Sequence, residues 1–299
     1  MVDITHKSNT LRIATAQAIV KVSSEETIRM IHEGAIPKGN VFEMSRAAGL
    51  LGVKKTPDLL PDCHPLPIEF TGITYEISGL EIKILMTVKT IYKTGVEVEA
   101  MHGASIVALN MYDMLKPVDK GVEIHHIKLI SKKGGKSSNP PRTQGITAQV
   151  VVCSDSISAG EKEDRAGKAI CEKLEGFGLT DITYRVIPDE PDQIRGIIEG
   201  NEAALLIFTG GTGAGPRDQT PDTIAPLLET RLNGVEETMR RYGQERMPFA
   251  MLSRSLAGIR KGQVILAVPG STAGASEAMD AVFPGLFHIF HVLKGGGHD

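Results

Sequence analysis

The stretch Ala204-Leu205-Leu206-Ile207-Phe208-Thr209-Gly210-Gly211-Thr212-Gly213-Ala214-Gly215-Pro216-Arg217-Asp218-Gln219-Thr220-Pro221-Asp222 decides the fold class of the C-terminal half. Residues 204–209 form a short, almost wholly apolar run, the pattern of a strand buried on both faces. The glycines that follow permit a tight turn and let backbone N–H groups approach a phosphate or a flat ring. Thr220-Pro221 then opens a helix, proline being suited to the first turn. A glycine-rich stretch alone equally suits a loop that merely reverses the chain. Its place after a strand, with Arg217 and Asp218 next to it, favours a ligand site.

Outward from this stretch the pattern alternates. Strands are expected at 146–153, 182–186, 204–209 and 264–268, with helices at 166–175 and 192–199. Such alternation predicts an α/β three-layer unit with a mostly parallel sheet, whose ligands bind beyond the carboxyl ends of the strands. Pro188-Asp189-Glu190 also follows a strand, so Asp189 is expected on the same rim as Asp218. Two carboxylates beside a phosphate loop suggest a divalent metal bound with a nucleotide.

The chain has 299 residues, enough for two domains, with 41% hydrophobic and 23% charged residues and a net charge of -3. The longest apolar run is the six residues 203–208, far short of the roughly 20 that a membrane helix needs. Met1 to Ala16 mixes charged and apolar residues and does not read as a signal peptide. The three cysteines form no CxxC pair, which speaks against a disulfide framework or zinc ribbon. A cytoplasmic protein without nucleic-acid or membrane partners is the expectation.

Charge is divided unevenly. Residues 1–142 hold 18 Lys+Arg against 15 Asp+Glu, and residues 143–299 hold 15 against 21. Between these regions lies Ser137-Ser138-Asn139-Pro140-Pro141-Arg142-Thr143, which cannot sustain a helix or a central strand. We therefore expect a first domain at 1–138, a linker at 139–145 and a second domain at 146–299.

In the first domain, an extended stretch at 10–20 precedes a helix capped by Ser23-Ser24-Glu25-Glu26 and ending near 33. A second helix is expected at 41–53, strands within 66–94 joined near Ser78-Gly79, a helix at 100–115 and a final strand at 124–130. Helices beside a block of strands predict an α+β sandwich. His64 stands between prolines in Pro61-Asp62-Cys63-His64-Pro65; a lone Cys-His pair is usually structural. If Gly95-Val96-Glu97-Val98-Glu99 is extended, Glu97 and Glu99 share a face, suiting either acid/base work or a solvated strand edge. Asp113 and Lys116, three apart on a helix, read as a surface ion pair or a catalytic couple.

Ser154-Asp155-Ser156, Pro188-Asp189-Glu190, residues 209–213, Pro216-Arg217-Asp218 through Thr220-Pro221-Asp222, residues 249–254 with 257–260, and Pro269-Gly270-Ser271 resemble the MogA family. These are molybdopterin adenylyltransferases with the molybdopterin-binding fold, and the resemblance covers nearly all of 146–294. It implies transfer of AMP from ATP to the molybdopterin phosphate, releasing pyrophosphate with Mg²⁺. Asp189 and Asp218 match the catalytic, metal-binding acids. Asp155, Gly210, Gly211, Thr212 and Gly213 match the nucleotide site, and Ser253, Arg254 and Ser271 match substrate-binding positions. Thr272 stands where the family usually has proline. Competence-damage-type hydrolases have a similar loop but follow it with paired aspartates. A non-catalytic pterin-binding or scaffolding module is the alternative.

Met1-Val2-Asp3-Ile4, Lys38-Gly39-Asn40-Val41, Cys63-His64-Pro65-Leu66, residues 94–100, Tyr112-Asp113-Met114 with Lys116, and Gly134-Gly135-Lys136-Ser137 resemble the MoaC family of cyclic pyranopterin monophosphate synthases. That resemblance implies a ferredoxin-like sandwich. It also implies rearrangement of 3′,8-cyclo-7,8-dihydroguanosine 5′-triphosphate, a GTP-derived substrate, with release of pyrophosphate. Asp113, Lys116 and Lys38 match catalytic positions. His64, Cys63, Asp62, Lys132, Glu97, Val98 and Glu99 match substrate-binding ones. Asn40 stands where the family usually has Asp, and Asp62 where it has Leu. Both resemblances imply homo-oligomers, a hexamer with sites between subunits for the first domain and a trimer for the second.

Overall fold

The structure, a computed structural model, describes residues 1–135 and 142–297. The chain separates into two compact units, Met1–Asn139 and Pro140–Asp299. The expected linker lies outside the described residues over 139–141, as do Lys136 and Ser137 of the first unit's last motif. No helix among the described residues is long and apolar enough to cross a membrane.

The first unit runs β1 (Thr10–Lys21), α1 (Glu25–Glu33), α2 (Val41–Lys54), α3 (Thr56–Leu59), β2 (Phe70–Ser78), β3 (Glu81–Tyr92), α4 (Glu97–Leu115), β4 (Glu123–Ile124) and β5 (Lys128–Lys133). Its antiparallel sheet has the order β2-β3-β1-β4, with β5 also on β1. This is the ferredoxin-like arrangement. β1 and β3 pair along their whole lengths, from Thr10 opposite Tyr92 to Lys21 opposite Glu81. Period-2 alternation places Ala14, Ala16, Ala18 and Val20 with Ile82, Ile84, Met86 and Val88 on one buried face. The small side chains of β1 let α4 lie close against the sheet, and Gly103 does the same between α4 and α2. A Cβ on Gly103 would sit 2.5 Å from Val53.

Two expectations here are corrected. Residues 97–99 are helical, because the buried stripe Ala100, Gly103, Ala104, Val107, Ala108, Met111 carries α4 back to Glu97. Glu97 and Glu99 therefore do not share a face. The strand expected at 124–130 is split into β4 and β5, with a register shift on β1 between Thr15 and Ala16.

The second unit runs β6 (Ala148–Cys153), α5 (Asp155–Ser158), α6 (Ala166–Gly176), β7 (Ile182–Ile187), α7 (Pro191–Gly200), β8 (Leu205–Thr209), α8 (Thr220–Ile224), β9 (Thr230–Arg231), α9 (Asn233–Gln244), β10 (Leu256–Arg260), β11 (Gln263–Val268), α10 (Thr272–Val282) and α11 (Ile289–Leu293). The sheet order is β7-β6-β8-β11-β10-β9. β7, β6, β8 and β11 are parallel, and β10 and β9 are antiparallel additions. α6, α9, α10 and α11 bury Ile170, Met239, Met279 and Phe290 on one face. α7 and α8 bury Ile194, Ile198 and Ile224 on the other. From β6 the chain steps to β7 on one side and returns to β8 on the other. The crevice beyond the carboxyl ends of β6 and β8 is thus the topological switch point, where ligands bind in such sheets.

Candidate functional sites

At the switch point the loop after β8 presses against the end of β6. Gly210 (φ 103°) lies so close that a Cβ there would be 2.1 Å from the Cys153 carbonyl oxygen. Gly211 (φ 59°) occupies the left-handed region, and a Cβ on it would lie 2.3 Å from Thr220 Oγ1 and 2.7 Å from Asp189 Oδ1. Only glycine fits both constraints. The loop then wraps Asp218, whose Oδ2 accepts a hydrogen bond from the Gly215 N–H at 2.8 Å.

Asp155, on the first turn of α5, accepts from the Asp189 N–H at 3.0 Å and from the Arg217 guanidinium at 2.9–3.2 Å. Arg217 also donates to Glu190 Oε1 at 2.9 Å. The Asp189 amide, then Arg217, hold the Asp155 carboxyl below its ordinary range. Asp189 is pushed the opposite way, first by burial and then by the charges of Asp155 and Asp218. Asp189 Oδ1 and Thr220 Oγ1 are buried with no hydrogen-bond partner. A buried carboxylate oxygen left unpaired is costly, and a divalent cation beside it would reverse the push on Asp189. Two carboxylates beside a glycine-rich turn are oxygen donors of the kind that suits Mg²⁺, which keeps several waters of its own. No group of three His, Cys, Asp or Glu arranged to hold a metal occurs among the described residues.

Arg254 clamps the loop from inside. Its Nε donates to Gly213 O at 2.8 Å, its Nη1 to Asp222 Oδ2 at 2.6 Å, and its Nη2 to Asp218 O. Ser253 Oγ lies 2.9 Å from Ser255 Oγ. Ser271 caps α10 through the Gly274 N–H, placing Thr272 at the first helical position, where proline would equally fit. The Thr272 departure therefore leaves the backbone of this turn undisturbed. Sequence marks Arg217, Glu190 and Thr220 only as neighbours of Asp218 and Asp189 and gives them no role of their own.

In the first unit the expected residues fall into two groups at opposite ends of α4. At the C-terminal end, Asp113 accepts from Lys38 at 2.6 Å and pairs with Lys116 at 2.7 Å. Lys116, then Lys38, hold the Asp113 carboxyl down to about 2. Asp113 in turn raises Lys116, so this lysine holds its proton and stays charged at neutral pH. Asn40 caps α2 by accepting from the Glu43 N–H at 3.1 Å. Asp would cap equally well, which accounts for the departure at this position.

At the N-terminal end, Cys63 Sγ donates to Glu99 Oε1 at 3.3 Å, and Lys132 pairs with Glu97 at 2.9 Å. Burial, then the Glu97 charge, raises Glu99, which is 2% exposed. Burial and Glu99 push the Cys63 thiol up to about 11, so it is no thiolate at neutral pH. Burial works to raise Glu97, but Lys132, a backbone N–H and the Arg12 charge together hold the group low. His64 Nε2 lies 2.8 Å from Val2 O, while Asp62 meets the Met1 ammonium at 3.0 Å. Val98 is exposed. Glu99 and Asp113 are fourteen residues apart on one helix, hence roughly 21 Å at 1.5 Å per residue.

Comparison with known proteins covers both units. Residues 1–135 match the MoaC family, and residues 149–288 match a probable molybdopterin binding domain. Over its whole length the chain is 41% identical to the molybdenum cofactor biosynthesis bifunctional protein of Chlorobaculum tepidum, covering 96% of that protein. It is 36% identical to the protein of the same description from Synechococcus elongatus, again over its whole length and 98% of the relative. Across 46% of the chain it is 49% identical to the cyclic pyranopterin monophosphate synthase of Clostridium perfringens, 87% of which is covered.

Proposed function

The chain belongs to the bifunctional molybdenum cofactor biosynthesis proteins, and on that premise we propose a specific reaction for each unit. The first unit rearranges 3′,8-cyclo-7,8-dihydroguanosine 5′-triphosphate to cyclic pyranopterin monophosphate and pyrophosphate. The second transfers AMP from ATP to the phosphate of molybdopterin.

For the second unit, the observation that carries this reading is the buried, unpartnered Asp189 Oδ1 behind a glycine-rich loop at the switch point. Asp189 and Asp218 are the residues that would hold Mg²⁺, which when bound neutralises charge on the departing pyrophosphate. The loop amides cradle the phosphates, and Arg254 keeps the loop in shape through Gly213 and Asp218. Arg217 keeps Asp155 and Glu190 from repelling an incoming nucleotide by neutralising part of their charge. Release of pyrophosphate from Mg-ATP that depends on molybdopterin, and is abolished in Asp218→Ala, tests this; tight pterin binding without turnover would instead favour a scaffold.

For the first unit, Lys38, Asp113 and Lys116 form the catalytic cluster, in which the carboxylate fixes two ammonium groups that can meet a phosphate. Cys63, His64, Glu97, Glu99 and Lys132 form a second cluster suited to a ring with hydrogen-bonding edges. The separation along α4 is too large for one protomer to bring both to the same reacting atoms. The site is therefore composite, with one cluster from each of two copies of the chain, and the protein is a homo-oligomer. Conversion of the cyclic triphosphate, lost in Asp113→Ala, tests the activity.

A further inference from the structure

We propose that Arg195 is a phosphate-binding residue of the second unit, receiving a substrate phosphate in the cavity beside the glycine-rich loop; this rests on the adenylyl-transfer reading above. The open cavity, about 540 Å³, is bounded by Gly215 and Asp218 of the loop, Pro191 at the start of α7, and Asp222 of α8, and Arg195 and Arg254 are among the residues that line it.

The two arginines differ in what they are free to do. Arg254 is part of the wall, with Nε, Nη1 and Nη2 each donating to the loop or to Asp222. Arg195 donates to Asp192 Oδ1 at 3.1 Å, three residues earlier on the same helix, and that carboxylate is 96% exposed. A pair between two solvated side chains is weak and exchanges readily for a stronger acceptor.

Position favours the exchange. Side chains on a helix lean toward its N-terminus, so Arg195 lies over the first turn of α7. That turn follows directly on Asp189-Glu190, at the carboxyl edge of the sheet. A phosphate entering the cavity meets the carboxylates of Asp218 and Asp222 and needs a cation to offset them. Among the described residues lining the cavity, Arg195 is the cation that the loop does not already engage. A guanidinium can meet two phosphate oxygens at once. The phosphate belongs either to the nucleotide's terminal phosphoanhydride or to the pterin.

The test uses the full-length protein and the variants Arg195→Ala and Arg195→Lys. Steady-state adenylylation is measured against ATP and against molybdopterin, and binding of pyrophosphate in the presence of Mg²⁺ by calorimetry. In Arg195→Ala the KM for ATP should rise roughly tenfold to a hundredfold, the loss of charge-assisted hydrogen bonds to phosphate. Pyrophosphate binding should weaken in parallel, kcat should fall less, and Arg195→Lys should recover part of the loss. A rise confined to the KM for molybdopterin also supports the proposal and assigns the phosphate to the pterin. Unchanged KM values together with unchanged pyrophosphate binding would overturn it. If the wild-type chain transfers no AMP, the adenylyl-transfer reading fails, and calorimetry still decides on Arg195. Weaker pyrophosphate binding in Arg195→Ala then supports the proposal, whereas equal binding, or none to the wild type, overturns it.

Discussion

If the first unit's site is shared between copies, two inactive variants should rescue each other. Asp113→Asn damages the cluster at the C-terminal end of α4, leaving Lys38 and Lys116 without the carboxylate that each meets within 2.7 Å. Glu99→Gln damages the cluster at the other end, roughly 21 Å away by helical rise. Each change should cost about 10²–10⁴ in rate if the residue takes part in proton transfer. In a two-fold pair, each site takes one end from each chain. Random mixing makes half the pairs hetero-pairs, and one of the two sites in each has both ends intact. Activity should therefore return to about a quarter of wild type. Co-expression of the two variants in equal amounts, purification of the whole mixture on a shared tag and assay of cyclic pyranopterin monophosphate would measure it. The converse mixture is equally diagnostic. Wild type mixed with a chain carrying both substitutions should fall to about a quarter of full activity, not to half. Recovery no greater than the sum of the parents, with the converse mixture at half, would refute a site built from two copies.

Three further outcomes follow from the geometry. Gly211→Ala forces a Cβ to within 2.3 Å of Thr220 Oγ1 and places alanine at a left-handed φ, costing about 1–2 kcal/mol before any repacking; the second unit's thermal transition should drop and its KM for ATP rise at least about tenfold, with cyclisation unaffected. Asp119 accepts hydrogen bonds from Ser23 N and Oγ, Thr27 Oγ1 and Gly121 N at 2.6–2.9 Å, which overcome burial and hold its carboxyl low. Asp119→Asn should cost about 2–4 kcal/mol at neutral pH. Because the folded-state carboxyl titrates below its unfolded value, that difference should be full above about pH 4 and shrink as pH falls further, in denaturant titrations across pH. Asp62→Leu removes an exposed carboxylate two residues from His64 and should lower the KM for the cyclic triphosphate several-fold, about one screened like-charge contact; an unchanged KM would place Asp62 outside the site.

The parts of this architecture legible in sequence were those with a local pattern. β8, its glycine-rich loop and the proline-started α8 are contiguous, and β1 reads as an extended stretch at 10–20 just ahead of the Ser-Glu cluster that caps α1. Gly95-Val96-Glu97-Val98-Glu99 misled because its valines suit a strand, whereas the apolar stripe that begins at Ala100 extends the helix through Glu97. α9 and the antiparallel β9 and β10 carried no single strong signal. The rim of the second site could not be read locally, since Arg217 and Asp155 are 62 positions apart and meet only because β6 and β8 are neighbours. Likewise, spacing placed Asp113 and Lys116 together but said nothing of Lys38, which reaches Asp113 across 75 positions. The orphaned oxygen of Asp189 is a property of packing, invisible in composition.

Two enzymes in one chain should both be seen when one purified full-length preparation is assayed for both reactions beside its Asp113→Ala and Asp218→Ala variants. The expected result is that wild type releases pyrophosphate from the cyclic triphosphate and adenylylates molybdopterin with Mg-ATP. Asp113→Ala should lose only the first activity, and Asp218→Ala only the second. Wild type lacking either activity, or keeping adenylylation undiminished in Asp218→Ala, would contradict it.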